Sequence, residues 1–513
     1  MFKAPVHTFR LLKAARVLVR HGGVVSPEQL ADMPLLARAG LRLLGAGKQP
    51  GAAREGELSA VSAALARLGP SWIKLGQFLA TRPDVVGYER AHQLAELQDR
   101  LPAFPQAEAE RLVSESLGRP LREVFSEFGP PVAAASIAQV HRARTTDGRD
   151  VAVKVLRPGI EKRFAEDLQD FYFAARWMER LDPSSRRLKP VQVVDTLRRS
   201  MDVEMDLRME AAAMSEIADN LADEPRVHIP RVDWQRTAKR VLTTEWVEGI
   251  PLADTEALKK AGHDLEALAD AVIHGFLKQL LRDGFFHADM HPGNMFVDAQ
   301  GRLVLVDFGI TGHLSEYERR VWAEIIYCFI VRDYRRNAEV HFEAGYVPPH
   351  HSLQEFAQSL RAIGEPVFGR PAEEVSMGEL LEQLFRNTGH FDMATQPQLL
   401  MMQKTMVVVE GVARSLNPKI DVWKSCEPVV KEWISRHLGP AGRIEAATKQ
   451  TGQALARLPE VFGNLATAAR AMAEEQRRRE EGAAEQEKAD IPRAPLWIAA
   501  AALAAIAAGL WWG

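Results

Sequence analysis

The sequence predicts an α+β fold of two lobes, preceded by a helical N-terminal extension and closed by a C-terminal transmembrane helix. Three stretches carry that expectation. "IAQVHRARTTDGRDVAVKV" (137–155) alternates like a β-hairpin about Asp147 and Gly148. A helix-forming run then leads into "HADMHPGNMFVDAQGRLVLVDFG" (287–309), a loop and short strands carrying Asp289, Asn294 and Asp307. The last stretch, "APLWIAAAALAAIAAGLWWG" (494–513), has no charge at all.

At 513 residues, 46% hydrophobic and 26% charged, the chain is long enough for several structural units around at least one large core. The expected order is a basic amphipathic region at 1–55, a helical extension at 56–120, the first lobe at 121–250 and the second at 251–440. A charged helical segment at 441–493 and the anchor at 494–513 follow. With 65 basic against 68 acidic residues there is no cationic field for a nucleic-acid partner. Two distant cysteines, Cys328 and Cys426, exclude a disulfide framework or a zinc ribbon and fit a reducing compartment.

Residues 1–54 hold nine basic side chains against Glu28 and Asp32, interleaved with Leu, Val and Phe. That pattern suits a helix lying on an anionic membrane surface, and equally a surface helix packing on its own domain. No secretory signal precedes it, although an acid-poor, Arg-containing start resembles a mitochondrial presequence. At the other end, Leu496 to Trp512 would span roughly 26 Å as a helix, with Trp497, Trp511 and Trp512 at interfacial depths. Arg477, Arg478, Arg479, Lys488 and Arg493 lie before it and nothing charged after it, which keeps the body of the chain on the cytoplasmic side.

In the hairpin, Lys154 sits mid-strand and must leave through one face. Protein kinases use such a lysine to reach the α- and β-phosphates of ATP, held by a glutamate on a following helix; a solvated outward lysine is the bland alternative. The run 193–221 is free of Gly and Pro and offers Glu204, Asp206 and Glu210. Asp206 and Glu210 share a helix face, whereas Glu204 and Asp206 point roughly 200° apart. One regular helix cannot aim all three at one site, so either Glu204 serves another group or the helix is interrupted. Next, "VLTTEWVEG" reads as a strand ending at Glu245 with a break at Gly249, like a hinge whose backbone, around Glu245 and Val247, receives adenine. Leu265, Leu268, Val272, Phe276 and Leu280 then mark a core-facing helix stopped by Gly284.

Phosphoryl transfer needs a carboxylate beside the acceptor oxygen and oxygen ligands for Mg²⁺, and kinases supply an Asp, an Asn five residues on, and the Asp of Asp-Phe-Gly. Asp289 and Asn294 are five apart, and Asp307 opens Asp307-Phe308-Gly309. A rival transition-metal site of His287, Asp289 and His291 leaves Asn294, Asp307 and Lys154 unexplained. His287 reads better as a packing and hydrogen-bonding brace.

Over roughly Leu58 to Leu416 the sequence resembles the UbiB family of atypical protein-kinase-like proteins, linked to ubiquinone biosynthesis. The marks are "KLGQ" at 74–77, "AAAS" at 133–136, "EMD" at 204–206, "HADMHPGN", "DFG" and "GVARSLNP" at 411–418. The resemblance implies a protein-kinase-like fold that binds ATP or ADP with Mg²⁺. Ala133, Ala134, Ala135 and Ser136 would replace the usual glycines over the phosphates, with altered nucleotide preference and suppressed self-phosphorylation. It also implies that the segment with Lys74 and Gln77 folds across the active site, Lys74 meeting Glu204 and Asp206 while Glu210 holds Lys154. Asp289 would serve the acceptor or an attacking water, and Asn294 and Asp307 the metal.

The function expected is therefore a membrane-anchored atypical kinase or ATPase supporting ubiquinone synthesis, acting near membrane lipids on quinone precursors or on the proteins that handle them. The alternatives are a nucleotide-gated scaffold or lipid-handling module, and a soluble small-molecule kinase. The expected location is a bacterial inner membrane, with a mitochondrial inner membrane as the alternative. The acceptor and the oligomeric state are not written in the chain.

Overall fold

The computed structural model describes residues 4–20, 59–80, 101–181, 189–368, 391–393 and 397–437, with isolated positions between 82 and 97 and Arg186. The charged segment 441–493 and the expected anchor 494–513 lie outside them. Among the described residues no helix is long and apolar enough to cross a membrane. The chain divides into units Met1–Ile434 and Ser435–Gly513, and the site below lies wholly in the first.

The extension begins with α1 (Ala4–Arg20), α2 (Ala60–Leu68) and α3 (Pro70–Ala80). Ser59 caps α2 by accepting the Ser62 N–H. α3 carries the KLGQ motif, and its Gly76 permits close helix contact: a Cβ there would lie 2.3 Å from Leu97 and 2.7 Å from Leu65. α4 (Gln106–Leu117) and the short α5 (Leu121–Val124) lead into the first sheet.

That sheet is antiparallel, with β1 (Phe125–Ala134), β2 (Ala138–Thr145) and β3 (Asp150–Leu156) followed in space by a fourth strand, 241–245. The predicted hairpin is β2–β3, with Gly148 at φ +86° in its turn. Val151, Val153 and Val155 of β3 are buried against Leu112 and Val113 of α4. Because side chains alternate along a strand, Lys154 leaves through the opposite face. Of the expected phosphate-covering run Ala133–Ser136, Ala133 and Ala134 are paired in β1 with Val140 and Gln139.

α6 (Ile160–Leu181), α7 (Pro190–Glu204) and α8 (Leu207–Asn220) cover the sheet's other side. Leu156, Phe164, Phe171, Leu197, Leu207 and Ala211 share one core, and Trp72, Leu75 and Phe78 of α3 pack on it. The extension is thus bonded to the first lobe by apolar contact. α1 also packs on this lobe, through Arg10 to Glu166 at 2.7 Å and His7 to Asp170 at 2.6 Å, while Val6, Phe9 and Leu12 stay exposed on its far side. The run 193–221 is not one helix: α7 stops at Glu204, and Asp206 is the N-cap of α8.

The chain continues through β4 (Val227–His228), β5 (Val241–Glu245), β6 (Gly249–Pro251), α9 (Thr255–Lys260) and α10 (Leu265–Leu277). Leu268, Val272 and Phe276 of α10, and Leu280 beyond it, are buried, each contributing about 1.5–3 kcal/mol by removal from water. The predicted helix to Gly284 changes character after Leu277, becoming a π-helical turn, Lys278–Asp283, before Gly284 ends it at φ +70°. β7 (Phe285–His287), β8 (Met295–Asp298), β9 (Leu303–Leu305) and β10 (Thr311–His313) frame the predicted loop. β7 pairs with β10, and a second sheet has the order β4-β9-β8-β6. The remainder is helical: α11 (Glu316–Ile330), α12 (Tyr334–Glu343), α13 (Leu353–Phe368), α14 (Pro397–Leu416) and α15 (Val422–His437).

Candidate active site

A cleft of about 210 Å³ lies between the lobes, lined among others by Lys74, Ala135, Lys154, Glu204, Asp206, Glu210, Asp289 and Asp307. At its centre Lys154 Nζ donates to Glu210 Oε1 at 2.8 Å and Oε2 at 3.0 Å, and to Asp307 Oδ1 at 2.8 Å. One ammonium therefore joins β3, α8 and the Asp-Phe-Gly turn. Burial pulls the Lys154 pKa down, but the charges of Asp307 and Glu210 outweigh it and hold the ammonium above its ordinary range. The same ammonium keeps Asp307 well below the usual carboxylate range. Glu210, deeply buried, is pushed up by desolvation against the opposing pull of Lys154.

Asp307 is held in the left-handed backbone region, φ +62°, an uncommon state that Asp tolerates better than bulkier residues. Its strand is tied to the loop, since Val306 N–H donates to Asn294 O at 3.0 Å. Asn294 Nδ2 in turn donates to Asp289 O at 3.1 Å and Asp289 Oδ2 at 3.3 Å. Asp289, Asn294 and Asp307 thus form one connected set of oxygen donors, the chemistry a hard cation such as Mg²⁺ requires.

His287 braces this set and cannot ligate a metal. It is fully buried; its Nε2 donates to Val306 O at 3.1 Å and its Nδ1 accepts the Asp289 N–H at 3.1 Å, so both ring nitrogens are committed. Burial lowers its pKa, favouring the neutral ring these bonds need. His291 Nδ1 accepts from Gly293 N–H. The rival His287–Asp289–His291 metal site is therefore excluded by geometry.

The break between α7 and α8 separates the acids. Glu204 Oε2 meets Lys74 Nζ at 2.8 Å, bringing α3 to the cleft. Asp206, expected to share Lys74, is engaged differently: it caps α8 through Arg208 N–H and pairs with the Arg208 guanidinium at 2.6 Å. Gln77 donates to Leu97 O within the extension. Glu245 accepts Arg231 N–H and lies 3.4 Å from His228 Nε2, and Val247 lies in the link between β5 and β6. Among the described residues the buried Ser136 hydroxyl has no hydrogen-bond partner.

Three supporting residues escaped sequence reading. Arg157 Nε and Nη2 both donate to Ala135 O, at 3.0 and 2.8 Å, and Nη2 also reaches Leu101 O at 3.3 Å, with the guanidinium over the Phe104 ring. Gln279, in the π-helical turn, accepts His287 N–H at 3.0 Å. Thr405 of α14 donates to Ala288 O at 2.9 Å, across 117 positions of sequence. A glutamine in the apolar run that continues from α10 into the π-helical turn is the one signal that could have marked such a role.

The ABC1 atypical kinase-like domain matches residues 96–341, and the UbiB helical domain matches residues 360–421. A "Probable protein kinase UbiB" of Marinobacter nauticus is 42% identical over 403 residues, covering 78% of this chain and 74% of the relative. The chain belongs to the UbiB family. A UbiB relative of Pseudomonas aeruginosa is 37% identical over 456 residues, covering 86% of this chain and 84% of that protein. A solved complex of Rv3197 with erythromycin from Mycobacterium tuberculosis shares the fold over 71% of this chain and 93% of that one, with TM-score 0.50 and 26% identity. The KLGQ helix α3 precedes the matched ABC1 kinase-like domain, yet contributes Lys74 to its cleft.

Proposed function

We propose that this UbiB-family chain is an atypical kinase or ATPase that uses Mg-ATP, or ADP as ligand, beside a membrane in support of ubiquinone biosynthesis. Its targets would be quinone precursors, other lipids, or the proteins that handle them. The observation that carries the reading is the contact of Lys154 with both Glu210 and Asp307, next to the linked pair Asp289 and Asn294. Lys154 would turn from Asp307 toward the α- and β-phosphates while Glu210 keeps its orientation. Asp307 and Asn294 would hold Mg²⁺, which when bound neutralises charge on the phosphate oxygens. Asp289 would align an acceptor hydroxyl or water, its backbone fixed by His287. A bacterial over a mitochondrial setting is supported by the bacterial relatives, and contact with an anionic membrane surface by the basic, partly apolar outer face of α1.

A second reading, a nucleotide-gated scaffold, is favoured by Lys74 at the wall of the cleft. Phosphate release from Mg-ATP, with and without anionic liposomes and a quinone-like phenol, separates the two. Release that rises with membrane or phenol and disappears in Asp307→Asn supports the enzyme. Nucleotide binding without release under every condition supports the scaffold.

A further inference from the structure

The second lobe carries a cluster that the phosphotransfer reading does not use. His350 and His351 lie on the turn after Pro348 and Pro349, just before α13, and Asp392 lies on the described turn 391–393. Among the described residues this is the one group of three His, Cys, Asp or Glu side chains whose ligating atoms converge, all within 4.8 Å of one another. None of the three lines the cleft.

The spacing is informative. His351 Nε2 is 3.3 Å and His350 Nε2 3.6 Å from the same oxygen, Asp392 Oδ2. The first is a long hydrogen bond, and the second lies well beyond the roughly 2.7–3.2 Å of a well-formed one. The His351 separation equals the edge of a tetrahedron whose ligands stand about 2.0–2.1 Å from a central zinc, about 3.3 Å, and the His350 separation is slightly longer. An octahedral magnesium site, at similar bond lengths, would need edges of about 2.9 Å.

The positions are also braced. The His351 backbone N–H donates to Pro348 O at 3.2 Å. Its ring packs edge-on against Phe391 at 5.5 Å between centroids, and Phe391 packs on Phe356 at 4.9 Å, both phenylalanines being buried. The same core contact that fixes His351 therefore fixes the residue next to Asp392. The His350 and His351 rings lie side by side at 4.2 Å. Two imidazoles and one carboxylate suit a borderline ion, not Mg²⁺ or Ca²⁺, which prefer all-oxygen sites.

We infer that His350, His351 and Asp392 form a surface site for Zn²⁺ or a related divalent transition ion, with a fourth position open to water. Binding would clamp the turn before α13 to the turn 391–393, remote from the nucleotide chemistry.

The test uses the full chain, purified without a polyhistidine tag and stripped of metal. Zn²⁺ and Mg²⁺ are titrated calorimetrically, and Co²⁺ is followed by its visible absorption. The wild type is expected to take one more Zn²⁺ equivalent than His350→Ala/His351→Ala, and to show tetrahedral cobalt bands that Mg²⁺ does not displace. Asp392→Asn should weaken that equivalent by at least about tenfold while leaving the circular dichroism spectrum unchanged. Equal Zn²⁺ stoichiometry and affinity in the wild type and Asp392→Asn would overturn the site, as would no Zn²⁺ uptake by the wild type at micromolar concentrations. Should the double histidine variant fail to fold, the Asp392→Asn comparison decides alone.

Discussion

Lys74 and Glu204 meet at 2.8 Å with their side chains only 7% and 10% exposed, joining the helix before the kinase-like domain to the end of α7. Removing one member of such a pair leaves the other charge buried with less compensation. Lys74→Ala or Glu204→Ala should each cost about 3 kcal/mol, and the double variant clearly less than the sum of the two. A double-mutant cycle by urea unfolding measures this; strict additivity would mean the pair carries no coupling.

Glu210→Gln keeps the shape of the Lys154 contact and removes its charge. Turnover of Mg-ATP should fall by on the order of 10²-fold with a smaller change in nucleotide affinity, because positioning and not binding is lost. Asp307→Asn should lose more, and should raise the Mg²⁺ concentration needed for half-maximal rate. Steady-state phosphate release across a Mg²⁺ series distinguishes the two variants.

Replacing His287 by Phe preserves ring volume but strands the Asp289 N–H and the Val306 carbonyl that it now bonds. Two unsatisfied buried groups should cost roughly 2–4 kcal/mol. Chelator treatment followed by Mg²⁺ alone should fully restore turnover in the wild type, since no transition ion is held at this histidine. A requirement for added zinc that persists in His350→Ala/His351→Ala would contradict that.

His341 supplies a pH signature. It is buried in the second lobe with Nδ1 against Asn337 O at 2.8 Å, and burial pushes its pKa down to about 4. The folded chain keeps the ring neutral while the unfolded chain protonates it below about pH 6.5. Stability is therefore present above that value and lost as the pH falls toward 4, by up to about 3 kcal/mol. His341→Gln should flatten the fall in urea midpoint between pH 6.5 and 4; an unchanged slope would assign the loss to other groups.

Local pattern was enough to expose the β2–β3 hairpin, Lys154, the buried face of α10 and the Asp289, Asn294, Asp307 set, because each rests on alternation, helical period or fixed short spacing. The break at Met205 was visible only as a geometric conflict among Glu204, Asp206 and Glu210, which an N-capping Asp206 resolves. Partners brought together by tertiary packing left no trace: Thr405 reaches Ala288 from a helix 117 positions away, and Arg157 finds Ala135 only after the hairpin closes. For α1, amphipathic period could not say whether a core or a lipid surface takes the apolar face. One side of it packs on α6, and Val6, Phe9 and Leu12 face outward.

The Arg157 guanidinium, gripping the carbonyls of Ala135 and Leu101 at once, bears on how anything enters the cleft. In many phosphate-binding proteins the covering loop is a flap, free to lift and fall over its ligand. Here the flap is riveted to the chain in front of α4, and its alanines deny it the glycine's freedom to bend. The ceiling is anchored at two carbonyls, so under the proposed function a nucleotide would enter past the walls, one of which is latched by Lys74.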